Sequence, residues 1–288
     1  MTRRAVVHIG AEKTGSTTIQ RALAAHRGLL AQHGIAYPTS LGADNHIGLA
    51  IHAAPDRTEF LWRHVLGVAS VAEYLPELQR GFAAEMAALP AAIGTVILSN
   101  EHCHTRVTTP AQIGRVQALL APHFDEIRIV FYVRRQDRIA VSAYNEYLKV
   151  GGDSDDLLGA WGAASDAILD YHGCLSAWAE VFGKTQIVVR IFDRSAFLGG
   201  DLIADFLGAA GVSFATPQAL RIDEQNAAMA AEAQRVQRRF NAWAGFARNA
   251  ARGWQWRLHR QLVERLPRDV PGRGQLPTRA AAQAFLRR

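Results

Sequence analysis

The sequence predicts a three-layer α/β domain, with a mostly parallel sheet and helices on both faces, followed by a helical C-terminal portion. Short apolar runs typical of buried strands alternate with helical apolar spacing over the first two thirds of the chain. Two of these runs end in a polar loop that leads directly into a helix. Such strand–loop–helix units indicate parallel strands with crossover helices.

The predicted elements follow in chain order. The apolar runs that predict strands cover 5–9, 96–98, 127–133 and 188–192, with a short extended segment at 35–38. Helical spacing of apolar residues covers 58–89, 111–120 and 202–207. The strand at 127–133 is the longest of the apolar strand runs.

Composition excludes several classes of protein. The 288 residues are 49% hydrophobic and 20% charged, an ordinary globular composition. No apolar run approaches the ~18 residues of a membrane span, and the start leads into the first strand without the apolar segment of a signal peptide. Two cysteines, Cys103 and Cys174, exclude a disulfide framework and fit a reducing compartment, so we predict a cytoplasmic protein.

Charge divides the chain into a predicted core, 1–226, and a basic helical segment, 227–288, packed on that core. The segment holds 13 arginines, no lysine and three acidic residues. Phe240, Trp243, Trp254 and Leu258 recur in it at helical spacing, which favours packing of this stripe on the core. The alternative is a basic amphipathic surface near a lipid head group or acidic glycan, with peripheral membrane contact. No recognised module indicates nucleic-acid binding.

The stretch 8–20, HIGAEKTGSTTIQ, carries the most chemistry. A strand, a loop of small residues and a helix aim backbone N–H groups and the positive end of the helix dipole at an anion. Lys13 adds an ammonium group, Gly15 leaves the loop backbone accessible, and four residues add hydroxyls: Thr14, Ser16, Thr17 and Thr18. The stretch therefore predicts an oxyanion cradle.

A nucleotide P-loop is the obvious interpretation, and one residue contradicts it. That motif places a lysine directly after its second glycine. Here Gly10 and Gly15 have the required separation, but Ser16 follows Gly15 and the lysine lies inside the loop as Lys13. The strand, loop and helix are therefore of P-loop type, but the lysine does not occupy the position that it has in nucleoside triphosphatases.

A second strand–helix junction lies in the stretch 129–149. The strand ends at Val133, and Arg134 follows at the edge where parallel sheets place ligand contacts. Ser142 lies eight residues later, in a predicted helix with Tyr144 beside it. A guanidinium offers planar bidentate donors that suit a phosphate dianion.

Together these junctions resemble the sulfotransferases that use 3′-phosphoadenosine 5′-phosphosulfate (PAPS). The order K-[ST]-G-[ST]-T resembles their 5′-phosphosulfate loop, Arg134 and Ser142 match their 3′-phosphate contacts, and 188–212 resembles the end of their core. The resemblance covers about residues 5–212. It implies PAPS as donor, 3′-phosphoadenosine 5′-phosphate (PAP) as product, no metal, and Lys13 beside the leaving oxygen. A late Arg-Gly loop of the family, here Arg273, would also contact the 3′-phosphate.

The resemblance also implies a general base, a histidine or a glutamate, for the acceptor's proton. Glu101 and His102, just after the strand at 96–98, are the preferred candidates, and the sequence does not choose between them. His46 is a third candidate, because some glycan sulfotransferases carry their base in the loop after the first helix. His102-Cys103-His104 lacks the further ligands of a zinc site.

Three functions remain in competition. The leading hypothesis is a transferase acting on a hydroxyl or amine of a glycan, a glycolipid or a small molecule. A nucleotide kinase or NTPase would require magnesium and a lysine after Gly15. A relative without catalytic activity would bind the nucleotide and transfer nothing.

Overall fold

A computed structural model describes residues 2–159, 168–214, 216–220, 222, 229–246, 253–270 and 272–287. The chain divides into two compact units, Met1–Arg134 with Asp170–Ile222, and Arg135–Leu169 with Asp223–Arg288. The predicted boundary at residue 226 lies outside the described residues. The division into 1–226 and 227–288 therefore stays a prediction.

The first unit contains a five-stranded sheet in the order β2-β3-β1-β4-β5. Each neighbouring pair of strands is parallel, as the alternation of strand and helix signals predicts. The strands are β1 (Arg4–His8), β2 (Ile35–Ala36), β3 (Thr95–Ser99), β4 (Glu126–Val133) and β5 (Ile187–Ile191).

Helices connect these strands and form the second unit. In chain order they are α1 (Ser16–Ala25), α2 (Arg27–Gln32), α3 (Gly48–Ala53), α4 (Val71–Ala88), α5 (His102–Arg106), α6 (Pro110–Leu120), α7 (Gln136–Lys149), α8 (Tyr171–Phe182), α9 (Leu202–Ala209), α10 (Ala231–Ala244), α11 (Gly253–Asp269) and α12 (Arg279–Phe285). In the described part of the chain, no helix combines the length and apolar character needed to cross a membrane.

Two apolar layers enclose the sheet because successive side chains of a strand point to opposite faces. Val7 of β1 and Phe131 of β4 belong to one buried cluster, which also takes residues from α4, α6 and α8. Their neighbours Val6 and Tyr132 belong to a second buried cluster with residues of α1 and α9. This arrangement confirms the predicted three-layer α/β fold.

The parallel sheet determines where polar segments meet. β1 lies between β3 and β4, so the chain segments that follow these three strands leave the sheet at the same edge. Those segments contain the loop before α1, the residues Asn100 and Glu101, and Arg134. Most of the predicted chemistry of the first unit is therefore placed at one edge.

The helical prediction over 58–89 is wrong in its middle. A short π-helix, Leu61–Val65, is separated from α4 by a turn with Gly67 in the left-handed region (φ 68°). Helix α4 then begins with its own N-cap, because the Ser70 hydroxyl accepts a hydrogen bond from the Glu73 N–H at 3.4 Å. The apolar spacing continues through a break in the backbone that the pattern does not reveal.

The second unit is held by buried amides as well as by apolar packing. The Asn241 side-chain amide of α10 donates to the carbonyls of Leu148 (2.8 Å) and Gly152 (2.6 Å), and Gln234 donates to the Asn145 side chain at 2.8 Å. These bonds fasten α10 to α7 and the segment after it. The Asn241 and Gln234 amides each find an acceptor, as burial of a polar group requires.

The predicted burial of the aromatic stripe is wrong for its two tryptophans. Trp243 is 63% exposed and Trp254 is 47% exposed. The buried positions of α10 are occupied by small and amide residues, among them Gln237 and Asn241. The apolar spacing identified a helix but assigned the wrong side of it to the interior.

Three buried histidines predict that the first unit is sensitive to acid. Burial lowers the pKa of His8, His46 and His104 from 6.5 to about 4. Unfolding restores a pKa near 6.5, so the unfolded chain binds more protons between about pH 6.5 and 4. We expect the free energy of unfolding to fall as the pH is lowered through this window, by up to about 3 kcal/mol per histidine.

Denaturant unfolding at a series of pH values measures this effect, and His104→Phe isolates one contribution. The His104 ring packs edge-on against Phe131 (5.0 Å between centroids), and neither ring nitrogen has a hydrogen-bond partner among the described residues. The variant should keep the packing and lose part of the acid sensitivity, whereas exposed His64→Gln should change nothing. Equal pH profiles for wild type and His104→Phe would contradict the assignment.

Candidate active site

The loop between β1 and α1 contains three residues with positive φ, the first of which is Gly10 (φ 113°). Lys13 has φ 64°, and Gly15, the N-cap of α1, has φ 77° and ψ 14°. A Cβ on Gly15 would lie 2.6 Å from Leu202 Cδ2 and 2.9 Å from Phe192 Cε2, so both the backbone and the surroundings require glycine. This turn sets the direction in which α1 starts.

The start of α1 has the features of an anion site. No side chain among the described residues caps it, and its first turn, Ser16-Thr17-Thr18, carries no acidic group. The first N–H groups of a helix have no partner within the helix, and the helix dipole is positive there. Lys13 precedes this turn and adds a full positive charge.

The four predicted hydroxyls divide into two pairs. The buried Thr14 and Ser16 both donate to the Ala11 carbonyl, at 2.5 and 3.3 Å. These two hydrogen bonds stabilise the conformation of the loop, and they occupy the hydroxyl protons of Thr14 and Ser16. Thr17 is exposed and Thr18 is half-buried, which leaves these two hydroxyls accessible from outside the loop.

Arg134 brings the second predicted motif onto this loop. It follows β4, the neighbour of β1, and its Nη1 donates to the Lys13 carbonyl at 2.9 Å. Its guanidinium lies 5.3 Å from the centroid of the Phe192 ring, and the Tyr171 hydroxyl donates to its carbonyl at 2.7 Å. The Arg134 guanidinium thus contacts the backbone of the loop at Lys13, 121 residues away in the sequence and just before the N-terminus of α1.

Ser142 and Arg273 lie in the second unit. Ser142 is half-buried in α7. The exposed Arg273 precedes α12, and its carbonyl accepts a hydrogen bond from the Ala231 N–H at 2.9 Å, which ties this loop to the start of α10. Their roles as phosphate contacts stay predictions.

Glu101 is held in a defined position after β3. The Gln20 side-chain amide, from the second turn of α1, donates to Glu101 Oε2 at 2.6 Å. The Asn45 amide donates to both carboxylate oxygens, at 3.3 and 3.2 Å. Glu101 is half-buried, so its carboxylate combines fixed orientation with access from outside. This geometry suits a general base.

The other two base candidates differ from each other. His102 is 23% exposed, and its Nδ1 lies 4.0 Å from a carboxylate oxygen of Glu12. His46 is buried, and its Nδ1 accepts from the Ser99 N–H (2.9 Å) while Nε2 donates to the Pro38 carbonyl (2.8 Å). Both ring nitrogens of His46 are therefore occupied within the fold, which leaves Glu101 and His102 as the better-placed candidates.

Sequence reasoning missed the residues that orient Glu101. Gln20 also donates to the Ser99 hydroxyl at 3.3 Å, and that hydroxyl lies 2.8 Å from His8 Nδ1. Asn45 is bonded in turn by the side-chain amide of Asn100. A helix, a loop and two strands contribute these groups, so no spacing along the chain links them. The one available signal was the position of Gln20, one turn after the loop hydroxyls.

Comparison with known proteins leaves the family unassigned. No family model matches the chain. An uncharacterized protein of Archaeoglobus fulgidus is 31% identical over 118 residues, which are 40% of this chain, and the match spans only 30% of that relative's length. A crystal structure of a sulfotransferase from Alicyclobacillus acidocaldarius aligns with 89% of this chain and all of its own, at 16% identity and a TM-score of 0.48.

Proposed function

We propose that this chain is a sulfotransferase that moves a sulfuryl group from PAPS to a hydroxyl or amine of a glycan, a glycolipid or a small molecule. The proposal includes PAP as the product, a reaction without a metal ion and a cytoplasmic location. Its main support is the hydrogen bond from Arg134 Nη1 to the Lys13 carbonyl at 2.9 Å. This bond joins the two motifs that resemble donor contacts into one basic site.

The site fits the charge of such a donor. A 3′-phosphate and a 5′-phosphosulfate together need several cationic or N–H donors, and Lys13, Arg134 and the first turn of α1 supply both kinds. An arginine suits a phosphate because its fork of donors matches two oxygens. The accessible Thr17 and Thr18 hydroxyls add neutral donors.

The chemistry requires two roles of the protein. As the acceptor atom bonds to sulfur, the bond from sulfur to the 5′-phosphate oxygen breaks, and that oxygen keeps the electron pair. Lys13 stabilises this developing negative charge. Glu101, oriented by Gln20 and Asn45, takes the proton that the acceptor loses. His102 is the alternative base.

Two other functions predict different ligands. A nucleotide kinase or NTPase would bind ATP with magnesium, although Ser16 occupies the position of its lysine. A relative without catalytic activity would bind PAP and would transfer no sulfuryl group to any acceptor. Ligand binding tests the first alternative, and a transfer assay with a panel of acceptors tests the second.

Calorimetric titration with PAP and with ATP, each with and without magnesium, separates a PAPS-dependent protein from a kinase or NTPase. We expect PAP to bind without metal and Arg134→Ala to weaken its binding about 10- to 100-fold. The matched control is Arg135→Ala, since the adjacent Arg135 is paired with Asp137 at 2.9 Å. Magnesium-dependent binding of ATP in place of PAP would overturn the proposal in favour of a kinase or NTPase.

A further inference from the structure

Two helices of the second unit expose large apolar side chains. Trp243 of α10 is 63% exposed and Trp254 of α11 is 47% exposed, and Val236 and Leu258 are exposed at 47% and 37%. Single exposed apolar residues are common on proteins. Four exposed apolar side chains on neighbouring helices form a patch, and exposed apolar patches are typical of surfaces that bind a protein or a membrane.

These residues form one continuous surface. The Trp243 and Trp254 rings contact each other with their centroids 5.8 Å apart, and the half-buried Phe240 lies 5.7 Å from Trp243. Val236 lies one helical turn before Phe240, and Leu258 lies one turn after Trp254. We call these five residues, Val236, Phe240, Trp243, Trp254 and Leu258, the aromatic surface.

Arginines flank the aromatic surface. Arg239 lies four residues before Trp243 and Arg257 three residues after Trp254, and both are exposed. Over their full length the two helices contain seven arginines against three acidic residues. The surface therefore combines indole rings with a positive rim, and its partner must offer both an apolar layer and negative charge.

We propose that the aromatic surface docks on a bilayer containing anionic phospholipid. Indole rings partition to the interface between the head groups and the acyl chains, and arginines next to them pair with lipid phosphates. A second copy of the chain is a poor partner, because a symmetric contact would bring the same positive rims together. This docking is independent of the proposed sulfuryl transfer.

Co-sedimentation with lipid vesicles tests the docking. We expect the full chain to bind vesicles of phosphatidylcholine and phosphatidylglycerol, and to bind pure phosphatidylcholine at least about tenfold more weakly. The double variant Trp243→Ala/Trp254→Ala should lose about tenfold in affinity for the mixed vesicles. Arg239→Gln/Arg257→Gln should also bind more weakly and show a smaller dependence on salt.

Phe60→Ala is the matched control, because Phe60 is 66% exposed but belongs to the other unit. It should bind the mixed vesicles as the wild type does, and circular dichroism should show all variants folded. Unchanged vesicle binding by the tryptophan variant would overturn the proposal. So would binding to soluble heparin without binding to vesicles, or a dimer in light scattering that the tryptophan variant converts to a monomer.

Discussion

Replacing Lys13 with methionine should lower the rate of sulfuryl transfer about 100- to 1000-fold, the usual cost of removing a group that stabilises a leaving oxygen. Methionine keeps most of the apolar stem and loses the ammonium charge. It also meets the same backbone requirement, since Lys13 has φ 64° and methionine, like lysine, is unbranched at Cβ. The rate is measured as release of PAP from PAPS, with water as acceptor where no better one is found.

The control for this prediction is Lys184→Met, which removes an exposed lysine from the turn before β5. It should leave the rate unchanged. A Lys13→Met variant as fast as the wild type would remove Lys13 from the mechanism. If both variants are slow, thermal unfolding distinguishes a general loss of stability from a loss of catalysis.

Glu101→Gln should lower the rate of transfer about 100-fold or more while PAP binding stays within about twofold of the wild type. The variant keeps the shape of the side chain and removes its capacity to take a proton. Gln20 and Asn45 both donate to the carboxylate, so the position of residue 101 depends on contacts that a glutamine retains in part. Steady-state transfer to the best acceptor from a panel of sugars, phenols and amines measures the effect.

The companion variant His102→Gln decides between the two base candidates. A small loss in His102→Gln beside a large loss in Glu101→Gln assigns the base to Glu101, and the reverse assigns it to His102. A wild-type chain that binds PAP and transfers to no acceptor in the panel would instead support the non-catalytic relative.

Local sequence was sufficient to place the loop between β1 and α1 that we propose as the anion site. A strand, a turn with glycine and a helix start are adjacent in the chain, so the residues from Gly10 to Thr18 lie together as a loop and the first turn of α1. The two hydroxyls bonded to Ala11 were not separable from the two accessible ones in the sequence. Their difference depends on which way each side chain turns within the loop.

The surroundings of the candidate bases, in contrast, could not be predicted from the local sequence. Glu101 and His102 were candidates from their place after a strand, but the amides that hold Glu101 come from α1 and from the loop before α3. His46 was a third candidate in the sequence, and only the fold shows both of its ring nitrogens bonded within the protein. Contacts between segments that are distant in the sequence leave no regular spacing of residues from which they could be predicted.

The sequence by itself determined the parallel α/β architecture, the loop between β1 and α1, and the place of Arg134 at the end of β4, because each depends on a short run of adjacent residues. Tertiary structure alone decided that Arg134 bonds the Lys13 carbonyl, that Gln20 and Asn45 orient Glu101, and that Trp243 and Trp254 are exposed. Helical spacing shows that one side of a helix is apolar. Which side becomes buried depends on the neighbours that the fold brings against it.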